Sequence, residues 1–260
     1  MKVQGLKKVY FYFTSAMLFL LHLPFVFAKN KPFEGGTLPL INQNHLAFTG
    51  IITSAKNKLH NTAATLYDSL RLNLMGLSRQ AFEYAIQGLD YLAQNGKIDN
   101  DKLISIVDFS QSSSRKRLFV IDLVKEKVVF NTFVAHGVNS GTANAVHFSN
   151  RPESNESSLG FYETRDTYMG GNGYSLRLKG LESGINDNAL SRDIVVHGAA
   201  YVNERLAQTQ GYIGRSWGCP AIPENLHKPI IDKIKNGTCL FIYSMDTNYL
   251  KRSKILHPAG

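Results

Sequence analysis

Ile194-Val195-Val196-His197-Gly198-Ala199-Ala200 and Gly214-Arg215-Ser216-Trp217-Gly218-Cys219-Pro220-Ala221 are the stretches on which the reading of this 260-residue chain turns. The first is a β-branched apolar run and reads as a strand. It carries His197 to its end, where Gly198 lets the backbone bend and leaves the imidazole facing a cleft. In the second, Cys219 follows a glycine and precedes a proline, a sharp turn that exposes the sulfur. Such a turn also aims the N–H groups of Gly218 and Cys219 at one spot. Nucleophile, base and oxyanion donors are the parts needed for acyl transfer. A free thiol, with a pKa of about 8.5, is mostly protonated at neutral pH. A neighbouring His197 and the charge of Arg215 would both favour the thiolate.

Working outward, the flanking rhythm is that of short strands. Leu103–Phe109, Arg117–Leu123 and Val128–Ala135 are rich in Val, Ile, Leu and Phe, and the last two flank a turn at Lys125-Glu126-Lys127. Thr238–Tyr243 reads as a further strand, preceded by a helix around Leu226–Lys235 that Gly237 stops. Glycines 170, 171 and 173 do not lead from a strand into a helix, so they are turn residues and not a phosphate cradle. Earlier in the chain the period is helical. Ser78 caps a segment that puts Phe82, Ala85, Ile86, Leu89 and Leu92 on one face, and Asn95-Gly96 ends it. Leu59–Leu72 is a weaker helix candidate. The expected architecture is mainly β, a sandwich or barrel-like catalytic body with a helical N-terminal layer.

Lys2, Lys7 and Lys8 precede an uncharged run from Val9 to Ala28 that closes on Val26-Phe27-Ala28, as an export signal does. An uncleaved membrane anchor is the competing reading of 1–28. The remaining divisions are a linker or arm at 29–58, a helical region at 59–100, the catalytic body at 101–246 and a C-terminal tail at 247–260. The formal charge of +9 falls to +6 without residues 1–28. That balance, with no aromatic-basic motif, gives no reason to expect nucleic acid as a partner. It suits an exported protein of the periplasm or cell envelope, touching a membrane surface or an anionic envelope polymer at its periphery. Two cysteines, Cys219 and Cys239, rule out a zinc ribbon or an iron–sulfur site.

The pattern His-Gly, a loop, then Ser-x-Gly-Cys resembles the L,D-transpeptidase (YkuD-type) catalytic domain, in particular its branch with Ser-Trp-Gly-Cys-Pro-Ala, here Ser216 to Ala221. Ser157-Ser158-Leu159-Gly160-Phe161-Tyr162 is similar to that family's Thr-Pro-x-Gly-x-Phe strand. Tyr174 to Glu182 is similar to a stretch of the same branch. The resemblance covers roughly residues 100–244. It implies Cys219 as nucleophile, His197 as general base, and Ser216 and Gly218 as shapers of the nucleophile turn. It further implies peptidoglycan stem peptides as substrate, with a Cys219 thioester passed to an acceptor amine; no cofactor or metal is expected. Two positions depart from the common pattern. Trp217 stands where a second histidine is usual, and Ala221 where an arginine is usual; Arg215 is the candidate to contact a stem-peptide carboxylate in its place. Tyr201, Trp217 and Gly198 are the remaining candidates for the substrate wall.

Plainer readings stand beside these. Cys219 could be a structural cysteine bonded to Cys239, His197 a satisfied core histidine, Arg215 a solvated surface arginine and Tyr201 a surface tyrosine. His136-Gly137 repeats the His-Gly form, and His136 with His147 would be a weak metal pair, lacking any H-E-x-x-H or thiolate cluster. The alternative functions are an L,D-carboxypeptidase or cysteine amidase on the same scaffold, and a non-catalytic wall-binding protein held by a Cys219–Cys239 disulfide.

Overall fold

The structure is a computed structural model and describes residues 62–258. Residues 1–28, read from sequence as an export signal or anchor, and 29–58, read as a linker or arm, lie outside the described residues.

Eight strands form one sheet: β1 (Asn100–Asp108), β2 (Leu118–Asp122), β3 (Lys127–Thr132), β4 (Gly160–Gly170), β5 (Gly173–Gly180), β6 (Val195–Ala199), β7 (Ala221–Pro223) and β8 (Thr238–Tyr243). Their order is β3-β2-β1-β8-β4-β5-β6-β7. All pairs are antiparallel except β1–β8 and β6–β7. Central position explains the composition of β8: all six of its residues are buried, so it reads as an unbroken apolar run. The two ends of the sheet meet through the segment after β3. Ala135 N–H donates to Ala221 O at 2.8 Å, Ser216 N–H to His136 O at 2.9 Å, and Val138 N–H to Ser216 O at 2.7 Å. These bonds curl the sheet into a nearly closed, barrel-like body, as the sequence predicts.

The glycine-rich stretch is more regular than its composition suggests. β4 and β5 are the arms of a long hairpin whose tip pairs Gly170 with Gly173, the latter at φ +74°. The tip is a turn, as expected, but the arms around it are strands. Polar residues such as Arg165, Asp166 and Thr167 interrupt the apolar alternation that would have announced them.

The helical layer begins with residues 62–69 and continues in α1 (Arg79–Gln94). Ser78 caps α1 by accepting from Ala81 N–H at 3.3 Å, and its own N–H donates to Asp108 Oδ2 at 3.0 Å, tying the helix start to the end of β1. Phe82, Ala85, Leu89 and Leu92 are buried, while Ile86 on the same face is only partly so. The remaining helices are α2 (Glu204–Gln210), α3 (His227–Ile234) and α4 (Thr247–Arg252). Residues 247–258, read from sequence as a tail, pack into the body. Buried Glu182 accepts from Phe161 N–H at 2.8 Å and Tyr249 Oη–H at 3.2 Å, and from the Ser253 hydroxyl.

Gly88 sits inside α1, where alanine would ordinarily be favoured by about 1 kcal/mol. Here a Cβ would lie 2.0 Å from Phe161 Cζ, and Phe161 is itself stacked on Phe241 at 4.1 Å. With the ring pinned from behind, overpacking outweighs propensity. Gly88→Ala is expected to lower stability by about 1–3 kcal/mol in urea unfolding; a gain in stability would refute this account of the contact.

Candidate active site

β6 and β7 pair in parallel with His197 opposite Ala221, so the histidine strand ends beside the turn that carries Cys219. That turn is closed by one hydroxyl. Ser216 Oγ–H donates to Cys219 O at 2.6 Å, and Ser216 Oγ accepts from Gly218 N–H at 3.1 Å. A second hydroxyl braces it from outside. Ser157 Oγ–H donates to Gly218 O and its oxygen accepts from Gly137 N–H, each at 3.1 Å. Gly218 has φ +120°, and a Cβ there would stand 2.8 Å from Glu156 O, so no larger residue fits. Gly218 N–H, expected to share an oxyanion spot with Cys219 N–H, is instead committed to Ser216.

The segment that braces the turn is itself anchored by a buried cation. Arg117 donates from Nε and Nη2 to Val134 O at 3.1 and 3.0 Å, and from Nη2 to His136 Nδ1 at 2.7 Å. Since Nδ1 accepts, His136 carries its proton on Nε2 and donates to Gly141 O at 3.1 Å. Both ring nitrogens are therefore occupied. His147 is exposed, and among the described residues no group of His, Cys, Asp or Glu is arranged to hold a metal ion.

Cys219 and Cys239 are both free. The disulfide reading is thereby corrected: Cys239 is wholly buried in β8, paired with β1 and β4, while Cys219 is partly exposed in its turn. Cys219 Sγ accepts from Val195 N–H and donates to Asp193 O, both at 3.5 Å. Asp193 lies in the left-handed region at φ +52°, a conformation aspartate tolerates better than most residues. Burial pushes the Cys219 thiol above its ordinary value, and the Val195 bond and the Arg192 charge pull only partly the other way. The cation that acts on the sulfur is Arg192 and not Arg215 as expected.

Arg192 has a second task. It donates from Nη1 to Ser149 O at 2.7 Å and Ser158 Oγ at 3.0 Å, and from Nη2 to Glu156 O at 2.7 Å and Ser154 Oγ at 3.1 Å. One guanidinium thus holds the loop that forms a cleft wall. Arg215 donates to Gly141 O at 3.2 Å.

His197 is only 4% exposed. Its Nδ1 lies 3.0 Å from Gly198 O, and a carbonyl can only accept, so the proton sits on Nδ1 and Nε2 bears the lone pair. Burial lowers its pKa, with the Gly198 bond opposing. A neutral imidazole with a fixed tautomer suits a general base. His197, Ser216 and Cys219 share a cleft of about 720 Å³ with Tyr201, Arg215 and Trp217. Trp217 is 81% exposed at this cleft, and burial raises the Tyr201 hydroxyl to about 12. Gly198 lies outside the lining and packs against His227. Arg192, Asp193, Asn155 and Asn172 also line the cleft and escaped the sequence reading. The Gly-Asn-Gly tip marked Asn172 as a turn residue, but no local pattern marks Arg192.

A family model for the L,D-transpeptidase catalytic domain matches residues 74–243. The chain belongs to the L,D-transpeptidase catalytic-domain family. Curated proteins gave no match. Among solved structures it is similar to the L,D-transpeptidase LdtMt1 in complex with imipenem, at 14% identity, covering 55% of this chain and 59% of that one, with a TM-score of 0.33. It is also similar to an L,D-transpeptidase from Mycobacterium smegmatis, at 12% identity, 55% and 59% coverage and a TM-score of 0.33. A third is the helical cell shape determining protein Pgp2 from Campylobacter jejuni, at 14% identity, 62% and 57% coverage and a TM-score of 0.39. The chain spans less than two thirds of each of these three proteins. The family assignment rests on the family model. No helix of the described residues is long and apolar enough to cross a membrane.

Burial, and then the Arg117 charge, lower the His136 pKa to about 4. Between about 6.5, the unfolded value, and about 4, the unfolded state therefore binds a proton that the folded state refuses. Stability rises with pH across this window, is complete above it, and is lost as the pH falls through it. The loss should approach 3 kcal/mol, roughly, with His197 adding in the same direction. Urea midpoints at pH 4, 5, 6 and 7 measure it, and a flat profile over that range would contradict a buried, neutral His136.

Proposed function

We propose that this chain is a peptidoglycan-remodelling cysteine acyltransferase of the cell envelope, acting on stem peptides through a Cys219 thioester. What carries the reading is a free, partly exposed thiol in a broad cleft that also holds a histidine with its proton fixed on the nitrogen away from catalysis. In the resting site the sulfur is a thiol, bonded to Asp193 O. Substrate binding brings the carbonyl of an L-configured residue, followed by a terminal D-amino acid, to the sulfur. His197 Nε2 takes the thiol proton as the sulfur attacks. In this reading the Cys219 N–H donates to the developing oxyanion. Collapse of the tetrahedral species breaks the L,D-peptide bond, and His197 gives its proton to the departing D-amino acid. An acceptor amine then attacks the thioester, His197 takes a proton from that nitrogen, and the thiol re-forms. Water in place of the amine gives L,D-carboxypeptidase activity from the same residues.

In this reading Arg215 supplies the positive charge at the cleft for a substrate carboxylate, while Arg192 stays with its four loop partners. Tyr201 and Trp217 form apolar walls. The positive balance of the chain suits work beside anionic envelope polymers.

Incubation of purified protein with a carbapenem is expected to give one covalent adduct, on Cys219, by intact mass and peptide mapping. Cys219→Ala should give none while melting normally. Cys239→Ala should keep the adduct and lose about 1–2 kcal/mol of stability. Muropeptide digests read by mass spectrometry then separate outcomes: cross-linked dimers for amine capture, trimmed tripeptides for water. Intact muropeptides in both digests would count against the reading.

Trp217 is the chain's single tryptophan, so its indole emission reports on the cleft alone. Binding of a stem peptide to the Cys219→Ala variant is expected to shift or quench that emission saturably. An unchanged spectrum at concentrations that support turnover would remove Trp217 from the substrate wall.

A further inference from the structure

The glycine of the His197-Gly198 pair is required by a neighbour outside the cleft. A Cβ on residue 198 would lie 2.8 Å from Cγ and 2.9 Å from Nδ1 of His227, the first residue of α3. The imidazole of His227 therefore rests directly on the Gly198 backbone. That backbone supplies the carbonyl, 3.0 Å away, that accepts the His197 Nδ1 proton. His227 is locked in turn, its Nδ1–H donating to Glu224 O at 2.5 Å. The two imidazoles are thus held alike, each spending Nδ1–H on a backbone carbonyl, on either side of one glycine.

We propose that His227 is a positioning residue that fixes the Gly198 carbonyl and places an ionisable ring beside the His197 base. This rests on the catalytic reading of His197. A proton on His227 makes a second positive charge on His197 unfavourable, so the base stays neutral further into the acid range. Burial and this charge act in the same direction. The surrounding groups leave the effect to His227. On its own segment Lys228 is engaged by Asp232 at 2.7 Å and lies over the Tyr174 ring. Glu224 offers its carbonyl. From β5 the residue opposite His197 is Ser175, which is uncharged. On the cleft side Arg192 and Arg215 are bound to loop carbonyls, the Asp193 carboxylate acts on Cys219 and not on His197, and Tyr201 and Cys219 are neutral at working pH.

The test follows His197 directly. Imidazole C–H resonances are titrated by NMR in the wild-type protein, His227→Gln and His227→Lys, with His197→Gln for assignment. His227→Gln is expected to move the His197 midpoint to higher pH, and His227→Lys to lower pH. The acid limb of carbapenem acylation should move the same way in each. A His197 midpoint identical in all three proteins would overturn the proposal, and so would a rate that falls equally at every pH with no movement of the limb. A further variant guards against simple misfolding. Gly198→Ala alone should lose most acylation, and His227→Ala in the same chain should restore at least tenfold by making room for the new methyl. Failure of that rescue in a folded double variant counts against the contact. If wild-type Cys219 is never acylated, the catalytic reading fails, while the NMR midpoints still decide the coupling of the two histidines.

Discussion

The backbone bonds that join the segment after β3 to the turn before β7 are the constraint on which the rest of the site depends. Without Ser216 N–H to His136 O and Val138 N–H to Ser216 O, the sheet would be open at both ends and the cysteine turn would hang from one side. With them, the turn is held both by the strand it enters and by a strand from the far edge. Closure of the sheet and placement of the sulfur are therefore one event, and open edges are removed by the same bonds.

Hydroxyls and guanidinium groups finish what the backbone begins. Ser216 and Ser157 each donate one bond and accept another, so the glycine-only conformation of residue 218 is held from within and from outside. Arg117 and Arg192 bind carbonyls of irregular segments that no strand satisfies. Buried backbone acceptors need partners. In this body the loops around the cleft obtain them from two arginines, and the cleft owes its shape to both. The cost is electrostatic. A buried arginine keeps His136 neutral, and the desolvated site keeps Cys219 a thiol at rest.

Much of this was legible before any coordinates. The apolar runs at Leu103–Phe109 and Thr238–Tyr243, the Ser78 cap and the Asn95-Gly96 stop announced elements that form within a few residues of their expected limits. The hairpin arms of β4 and β5 were less so, because polar residues interrupt their apolar rhythm. The 247–258 segment gave no sign that it would be anchored to the body, since its buried anchors, Tyr249 and Ser253, meet Glu182 only across the fold.

The sequence by itself determined the mainly β architecture and singled out the candidate site residues, since a strand-borne His-Gly and a Gly-Cys-Pro turn are local patterns with local causes. Only the tertiary structure decided what those residues are in context. The cation at the sulfur is Arg192, 27 positions before Cys219, and the brace of the turn is Ser157, 61 positions before Gly218. The partner of Gly198 is His227. None of these pairings has a sequence spacing that could announce it. Desolvation and hydrogen bonding are sums over neighbours in space, and the chain acquires those neighbours only when the sheet closes.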